Sequence, residues 1–234
     1  LLVPVGITNE VHEPPVWLGT TRPLTENKII PTTWRESGFG IFGETEAFSY
    51  RAYLVNSLDG VGGGSSGASG FSSSGLRGGR QKGSKAVAEN FSAVGRIDYT
   101  GTPGLMIGTS FYTGDQGHNR ELNGRKVSIG TNIWEAHFKY QARGFDFQAL
   151  TALASVTNAD DLNELKGLSG SGSVGEKLSG WYAQVGYDLL WSSASEQQLL
   201  PYFRYETVNT QAEVPSGYSS SGSKDFNVTA IGMA

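Results

Sequence analysis

The sequence predicts an all-β chain: a transmembrane, antiparallel, up-and-down β-barrel of the bacterial outer membrane. Three observations predict it. Apolar and polar residues alternate with period two in stretches of about ten residues, the length a tilted membrane strand needs. The connections between these stretches are short and long in turn, as tight periplasmic turns and longer outer loops would be. The composition is rich in glycine and aromatics but poor in charge. Of 234 residues 33 are Gly, 11% are aromatic and only 17% are charged, against roughly 25% charged in an ordinary soluble domain.

The same composition excludes other classes. Zero Cys rules out a disulfide scaffold and a thiolate metal site. A net charge of -4 disfavours nucleic acid as a partner. The aromatic content argues against disorder. No apolar run approaches the ~20 residues of a membrane-spanning helix. A hydrophobic fraction of 38% is low for a large dry core, but it suits a barrel with an apolar outside and a polar inside.

The elements follow in order. Leu1–Ile7 reads as a strand already in progress, and Thr33–Glu44 alternates weakly. In Phe48–Leu58, Phe48, Tyr50, Ala52, Leu54 and Leu58 oppose Ser49, Arg51, Tyr53, Ser57 and Asp59. Phe91, Ala93, Ile97 and Tyr99 oppose Ser92, Arg96 and Asp98; Leu105, Ile107 and Phe111 oppose Gly108 and Ser110. Trp134, Ala136, Phe138, Tyr140 and Ala142 oppose Glu135, His137, Lys139, Gln141 and Arg143. Phe145, Phe147 and Ala149 oppose Asp146 and Gln148. Trp181, Ala183, Val185, Tyr187, Leu189 and Trp191 oppose Gly180, Tyr182, Gln184, Gly186 and Asp188. Phe203 and Tyr205 oppose Tyr202, Arg204 and Glu206, and Asn227–Ala234 closes the count at about ten strands.

Short breaks are expected near residues 44–47, 100–103, 144 and 192–196, and long ones at 10–30, 59–84, 114–124, 158–175 and 212–223. Trp181 and Trp191 on one strand would lie ~33 Å apart. A tilt near 40° reduces that to ~25 Å, the height of an apolar band between two aromatic girdles. Residues 1–234 read as one barrel domain, lacking material at both ends. Residues 60–85 form a long Gly/Ser-rich basic loop within it rather than a linker.

Parity puts Arg51, Arg96, Lys139, Arg143 and Arg204 on the inner wall with Asp59, Asp98, Glu135, Asp146, Asp188 and Glu206, making a hydrated lumen with charges of both signs. The loop carries Arg77, Arg80, Lys82 and Lys85 with no acid among them. Folded inward, it would make an electropositive, anion-binding constriction. Other motifs carry less. The G-x-G-x-x-G and G-x-S-x-G matches within Gly62–Gly67 lie in a low-complexity tract without strand-turn-helix context. Asp160, Asp161 and Glu164 lack the spacing of a calcium loop. His12, His118 and His137 have no metal-ligand spacing, though His137 would face the lumen near Glu135 and Lys139. No cofactor or metal site and no catalytic set is read.

Two stretches, His12-Glu13-Pro14-Pro15 and Ile29-Ile30-Pro31-Thr32-Thr33-Trp34-Arg35-Glu36, resemble the phosphate-selective porin O and P family. So do Tyr53-Leu54-Val55-Asn56, Gly75-Leu76-Arg77-Gly78-Gly79-Arg80 and Pro201-Tyr202-Phe203-Arg204-Tyr205. The resemblance is densest over residues 1–85. It implies a homotrimeric, sixteen-stranded outer-membrane porin of a Gram-negative cell, with an inward loop, in contact with lipid and lipopolysaccharide. Its function would be passive ion transport: diffusion of small hydrophilic solutes, anions such as phosphate. The balanced lumen departs from a strongly basic phosphate channel. Alternatives are a structural barrel anchoring a larger envelope assembly, an outer-membrane enzyme, for which the histidines give no signature, and a soluble β-sandwich.

Overall fold

The computed structural model describes residues 1–11, 14–83, 85–193 and 197–234. Eleven strands follow in chain order: β1 Gly38–Glu44, β2 Phe48–Asn56, β3 Phe91–Tyr99, β4 Leu105–Asp115, β5 Glu121–Leu122, β6 Arg125–Lys126, β7 Gly130–Ala142, β8 Phe145–Val156, β9 Lys177–Tyr187, β10 Pro201–Glu213 and β11 Asp225–Met233. One short helix, α1 (Ala159–Leu165), lies between β8 and β9. Nine strands form a single sheet in the order β1-β2-β3-β4-β7-β8-β9-β10-β11. Every pairing is antiparallel. The chain is therefore a meander in which each strand pairs with the next, and β5 and β6 are a separate small hairpin inserted between β4 and β7.

Burial follows the alternation but inverts the rule for a soluble sheet. Along β3, Phe91, Ala93 and Ile97 are exposed, while Ser92, Arg96 and Asp98 are buried. On β7 and β8 Trp134, Tyr140, Phe145 and Leu153 are exposed, and Glu135, His137, Asp146 and Gln148 are buried. On β9 and β10 Trp181, Val185, Phe203 and Tyr205 are exposed, and Tyr182, Gln184, Arg204 and Glu206 are buried. Among the described residues, no Asp, Glu, Lys, Arg or His occupies the outward positions 48–54, 91–99, 105–113, 132–142, 145–155, 179–187 or 203–209. Some of the polar groups there bond within the sheet. Thr113 Oγ1 donates to Asn132 Oδ1 at 2.6 Å, and Thr109 Oγ1 to the Glu135 carbonyl at 2.6 Å.

What covers the inward face departs from expectation. Leu1–Ile7 is not a strand; its one ladder contact is an isolated bridge between Leu2 and Arg35. Pro4 cannot donate to a ladder and Gly6 has φ 79, so the alternation of Val3, Val5 and Ile7 does not become pairing. These residues are buried against the sheet instead, together with Trp17, Ile29, Ile30 and Trp34. All but Trp17 join Val94, Tyr112, Ile133, Ala152, Ala154, Leu178 and Val208, which form an apolar half of the inward face near the long connections. The charged half lies nearer the short turns. The expected open, hydrated lumen along this wall is thus replaced by a packed layer.

The connections are also corrected in one place. Turns 45–47, 100–104 and 143–144 are short, and the loops after β2, β4, β8 and β10 are long, as expected. β9, however, ends at Tyr187, because Asp188 Oδ1 accepts from the amides of Leu190 and Leu199, both at 3.0 Å, and turns the chain there. Trp191 therefore lies outside the strand, against Gly144 of the neighbouring turn. It is exposed, like Trp181, but the two do not bracket one strand. The connection from β9 to β10 therefore runs over residues 188–200, longer than the loop after β10 (214–224) and not the short break expected at 192–196, and residues 194–196 of it lie outside the described residues.

Candidate functional site

The tract after β2 folds back on itself rather than hanging as a linker. The Asp59 and Phe71 amides donate to the Gly79 and Gly60 carbonyls at 2.8 Å each, and the Ser69 amide donates to Gly78 at 3.0 Å. The Asp59 carboxylate takes the Gly62 amide at 2.7 Å and the Ser66 hydroxyl at 2.8 Å. Phe71 and Leu76 are fully buried and fasten the loop to the core. Lys166, just beyond α1, clamps it from outside by donating to the Val61 and Ser69 carbonyls at 2.6 and 3.1 Å. Gly75 is required where the loop crosses the N-terminal segment: its φ is 111, and a Cβ there would sit 2.0 Å from the Lys28 carbonyl oxygen.

That crossing builds the candidate site. A cavity of about 420 Å³ lies between the loop and the N-terminal segment. Arg77, Arg80 and Lys82 line it from the loop and Lys28 from the other side, with Ser69, Ser72, Ser74 and the glycine backbone between them. Among the described residues no acidic side chain lines it. Arg77 Nε donates to Thr32 Oγ1 at 3.2 Å, while Arg80 bonds the Thr32 carbonyl and the Thr33 hydroxyl. The cations crowd one another. Burial first, then Arg77, Arg22 and Arg35, lowers the Arg80 guanidinium to about 10, against the pull of Glu36. Burial and Lys224 lower the Lys28 ammonium, which also stands over the Phe226 ring at 4.5 Å. A pocket that penalises its own positive charge is one an anion relieves.

Of the four loop cations read from the sequence, three converge here. Lys85 is exposed and does not line the cavity. Lys28 was not legible as a site residue: it is a single lysine in a short helical turn, brought to the loop only by the close approach at Gly75.

The wall cations have a different surrounding. Arg96 is buried; Nε lies 2.8 Å from Asp98 and Nη1 donates to the Gly6 carbonyl at 2.6 Å. Glu10 of the N-terminal segment pairs with Arg51 at 2.7 Å and stands 3.6 Å from Arg96. His137 bridges Asp98 and Glu135, at 2.9 Å on each ring nitrogen. Arg204 donates to the Trp17 and Thr21 carbonyls at 3.3 and 3.0 Å and faces Glu206 at 3.6 Å. Arg51, Arg96 and Arg204 are thus on the expected face, but they are bound to the N-terminal segment and to carboxylates. Lys139 is on that face and half-buried. Arg143 is not on the wall: it sits exposed at φ 52 in the turn after β7, where the two-residue connection takes it out of strand phase. Asp59 and Asp188 likewise fall in connections.

The remaining candidates are accounted for locally. Asp161 on α1 pairs with Arg125 at 3.0 Å. His118 is buried against the Leu58 carbonyl at 2.9 Å, and His12 and Glu13 lie outside the described residues.

No family model matches the chain. It is 35% identical over 240 residues to an uncharacterized protein of Aquifex aeolicus (strain VF5), covering 100% of this chain and 53% of that protein. The chain therefore spans about half the length of the relative it matches.

Proposed function

We propose that this chain is part of an outer-membrane β-barrel porin that passes small hydrophilic anions, phosphate among them, through a loop-lined cationic constriction. The observation that carries the reading is the exposed apolar face of the sheet, whose outward positions on β2–β4 and β7–β10 carry no charge away from the strand ends, where Asp115 and Lys177 stand. A face of that extent is costly in water and is what lipid solvates. Aromatic rows support it: Phe48–Tyr99 and Phe145–Tyr187 meet edge-on and tilted at 5.5 and 4.7 Å by the short turns, with Phe91, Phe111 and Trp134 toward the loops. β1 and β11 each pair on one side only, and the other half of a protein of the relative's length would supply the strands that join them. With the wall cations covered, the conducting path would run past Lys28, Arg77, Arg80 and Lys82.

The test is the reversal potential of the full-length protein in a planar bilayer under a salt gradient. An anion-selective current is expected. Absence of conductance would overturn the porin reading in favour of a structural barrel, which the N-terminal layer across the wall favours. Neutralising Arg77, Arg80 and Lys82 to Gln together should lower the anion preference about tenfold, at roughly 0.5 kcal/mol per partly screened charge. Lys85→Gln, outside the cavity, should leave the potential where it was. Equal effects of the two variants would count against the cavity as the selective point.

A further inference from the structure

Behind the cationic cavity stands one buried carboxylate. Glu36 follows Arg35 just before β1 and is 2% exposed. Its Oε2 accepts from Asn56 Nδ2 at 2.8 Å at the end of β2, and its Oε1 accepts from the Gln81 amide at 3.0 Å, one residue beyond Arg80. Asn56 Oδ1 in turn takes the Ser37 amide at 2.7 Å. The Gln81 side chain extends the joint. Its Nε2 donates to the Ser57 carbonyl at 2.7 Å and lies 3.3 Å from His118 Nε2, and its Oε1 takes the Val87 amide at 2.7 Å. One carboxylate therefore ties together the N-terminal segment, the end of β2 and the basic loop. The charged and titratable groups around it are Arg80 from the loop, Tyr112 from β4, the Leu1 ammonium, which donates to the Glu36 carbonyl at 2.8 Å, its chain neighbour Arg35, and His118 through Gln81.

We propose that Glu36 is the positioning and selectivity-setting residue of the cationic cavity: it holds Gln81, and with it Arg80, against β2, and its ionisation sets the net positive charge the cavity presents. This rests on the anion-pathway reading. Protonated, Glu36 still accepts one of its two bonds and leaves Lys28, Arg77, Arg80 and Lys82 unopposed. Ionised, it offsets one of the four charges from behind. Burial raises its carboxyl to about 7, against the Asn56 and Gln81 donors and Arg80, which favour the charged form. Anion affinity should thus be highest below neutral pH and fall as the pH rises through about 7.

Sulfate is the probe, because its own charge is constant across this range. Calorimetric titration of the full-length protein in detergent should give an affinity about three- to tenfold higher at pH 5.5 than at pH 8.5. Glu36→Gln keeps an acceptor for the Gln81 amide and should bind sulfate at pH 8.5 as tightly as the unmodified protein does at pH 5.5. His118→Gln, removing the other residue type here that changes charge near neutrality, should keep the pH dependence. A Glu36→Gln protein that keeps the original ratio, or an unmodified protein with a ratio of one, overturns the role given to Glu36. Where Glu36→Gln fails to fold, Glu36→Asp serves: the shorter arm should shift the midpoint, and an unmoved midpoint overturns the proposal. No sulfate binding at either pH overturns the anion reading along with it.

Discussion

Replacing Arg96 with methionine is expected to cost about 3–5 kcal/mol of stability, the scale of breaking a buried ion pair from one side. Arg96 is 6% exposed and sits between Asp98 and the N-terminal segment, bonded to the Gly6 carbonyl and near Glu10. Its removal leaves Asp98, Glu10 and Glu135 with Arg51 and His137 as the remaining positive or protonatable partners. The stored charge is then out of balance, and the cheapest relief is for Glu10 to leave the wall with its segment. Denaturation in detergent or vesicles should show the loss, and limited proteolysis should cut within residues 1–36 where the parent protein resists. Arg96→Met with Asp98→Leu should regain most of the stability, since an apolar pair of similar volume often matches a buried ion pair. A single variant within about 1 kcal/mol of the parent, with unchanged proteolysis, would mean the segment is held by its apolar contacts alone.

Much of this wall was legible residue by residue. Period-two alternation is a geometric property of any strand, so which of Phe91 and Ser92, or Trp181 and Tyr182, share a face needs no tertiary knowledge. That the polar side is the covered one was read from the loops and composition, and burial agrees along β2, β3, β7, β8, β9 and β10, though not along β11. What escaped was set by contacts distant in sequence or by single residues that break the pattern. Val3, Val5 and Ile7 alternate like a strand, but Pro4 and Gly6 deny them a ladder, and their partners lie on strands far along the chain. Asp188 ends β9 by bonding two amides, one of them at Leu199, which no window over 181–191 reveals. The cavity was half legible: a run of cations without an acid is visible in the loop, whereas Lys28 and Glu36 join it only through Gly75 and Gln81.

Ala183→Arg is expected to destabilise the protein in a bilayer by about 2–4 kcal/mol, the cost of an arginine at mid-depth on the lipid side of a barrel. Ala183 lies near the middle of β9, paired with Ala149 and Tyr205 on the outward face. The same change at Ser179, nearer the loop end of β9, should cost only about 0–1 kcal/mol. At that end Lys177 already pairs with Glu213 at 2.8 Å, both exposed. The gradient is the informative quantity. A surface substitution facing water falls within about 0.5 kcal/mol wherever it sits along a strand, so a soluble sheet would give two small and equal numbers. A sheet face covered by another protein would give losses set by local packing, with no order in depth. Only a lipid slab has a cost that peaks at the centre of the strand and fades toward both ends. Urea unfolding from vesicles measures all three cases, with Ala183→Leu as the size control, expected to be neutral in lipid. Equal losses at 179 and 183 would remove the membrane from the account of this sheet, and the exposed aromatic rows would then need a protein partner.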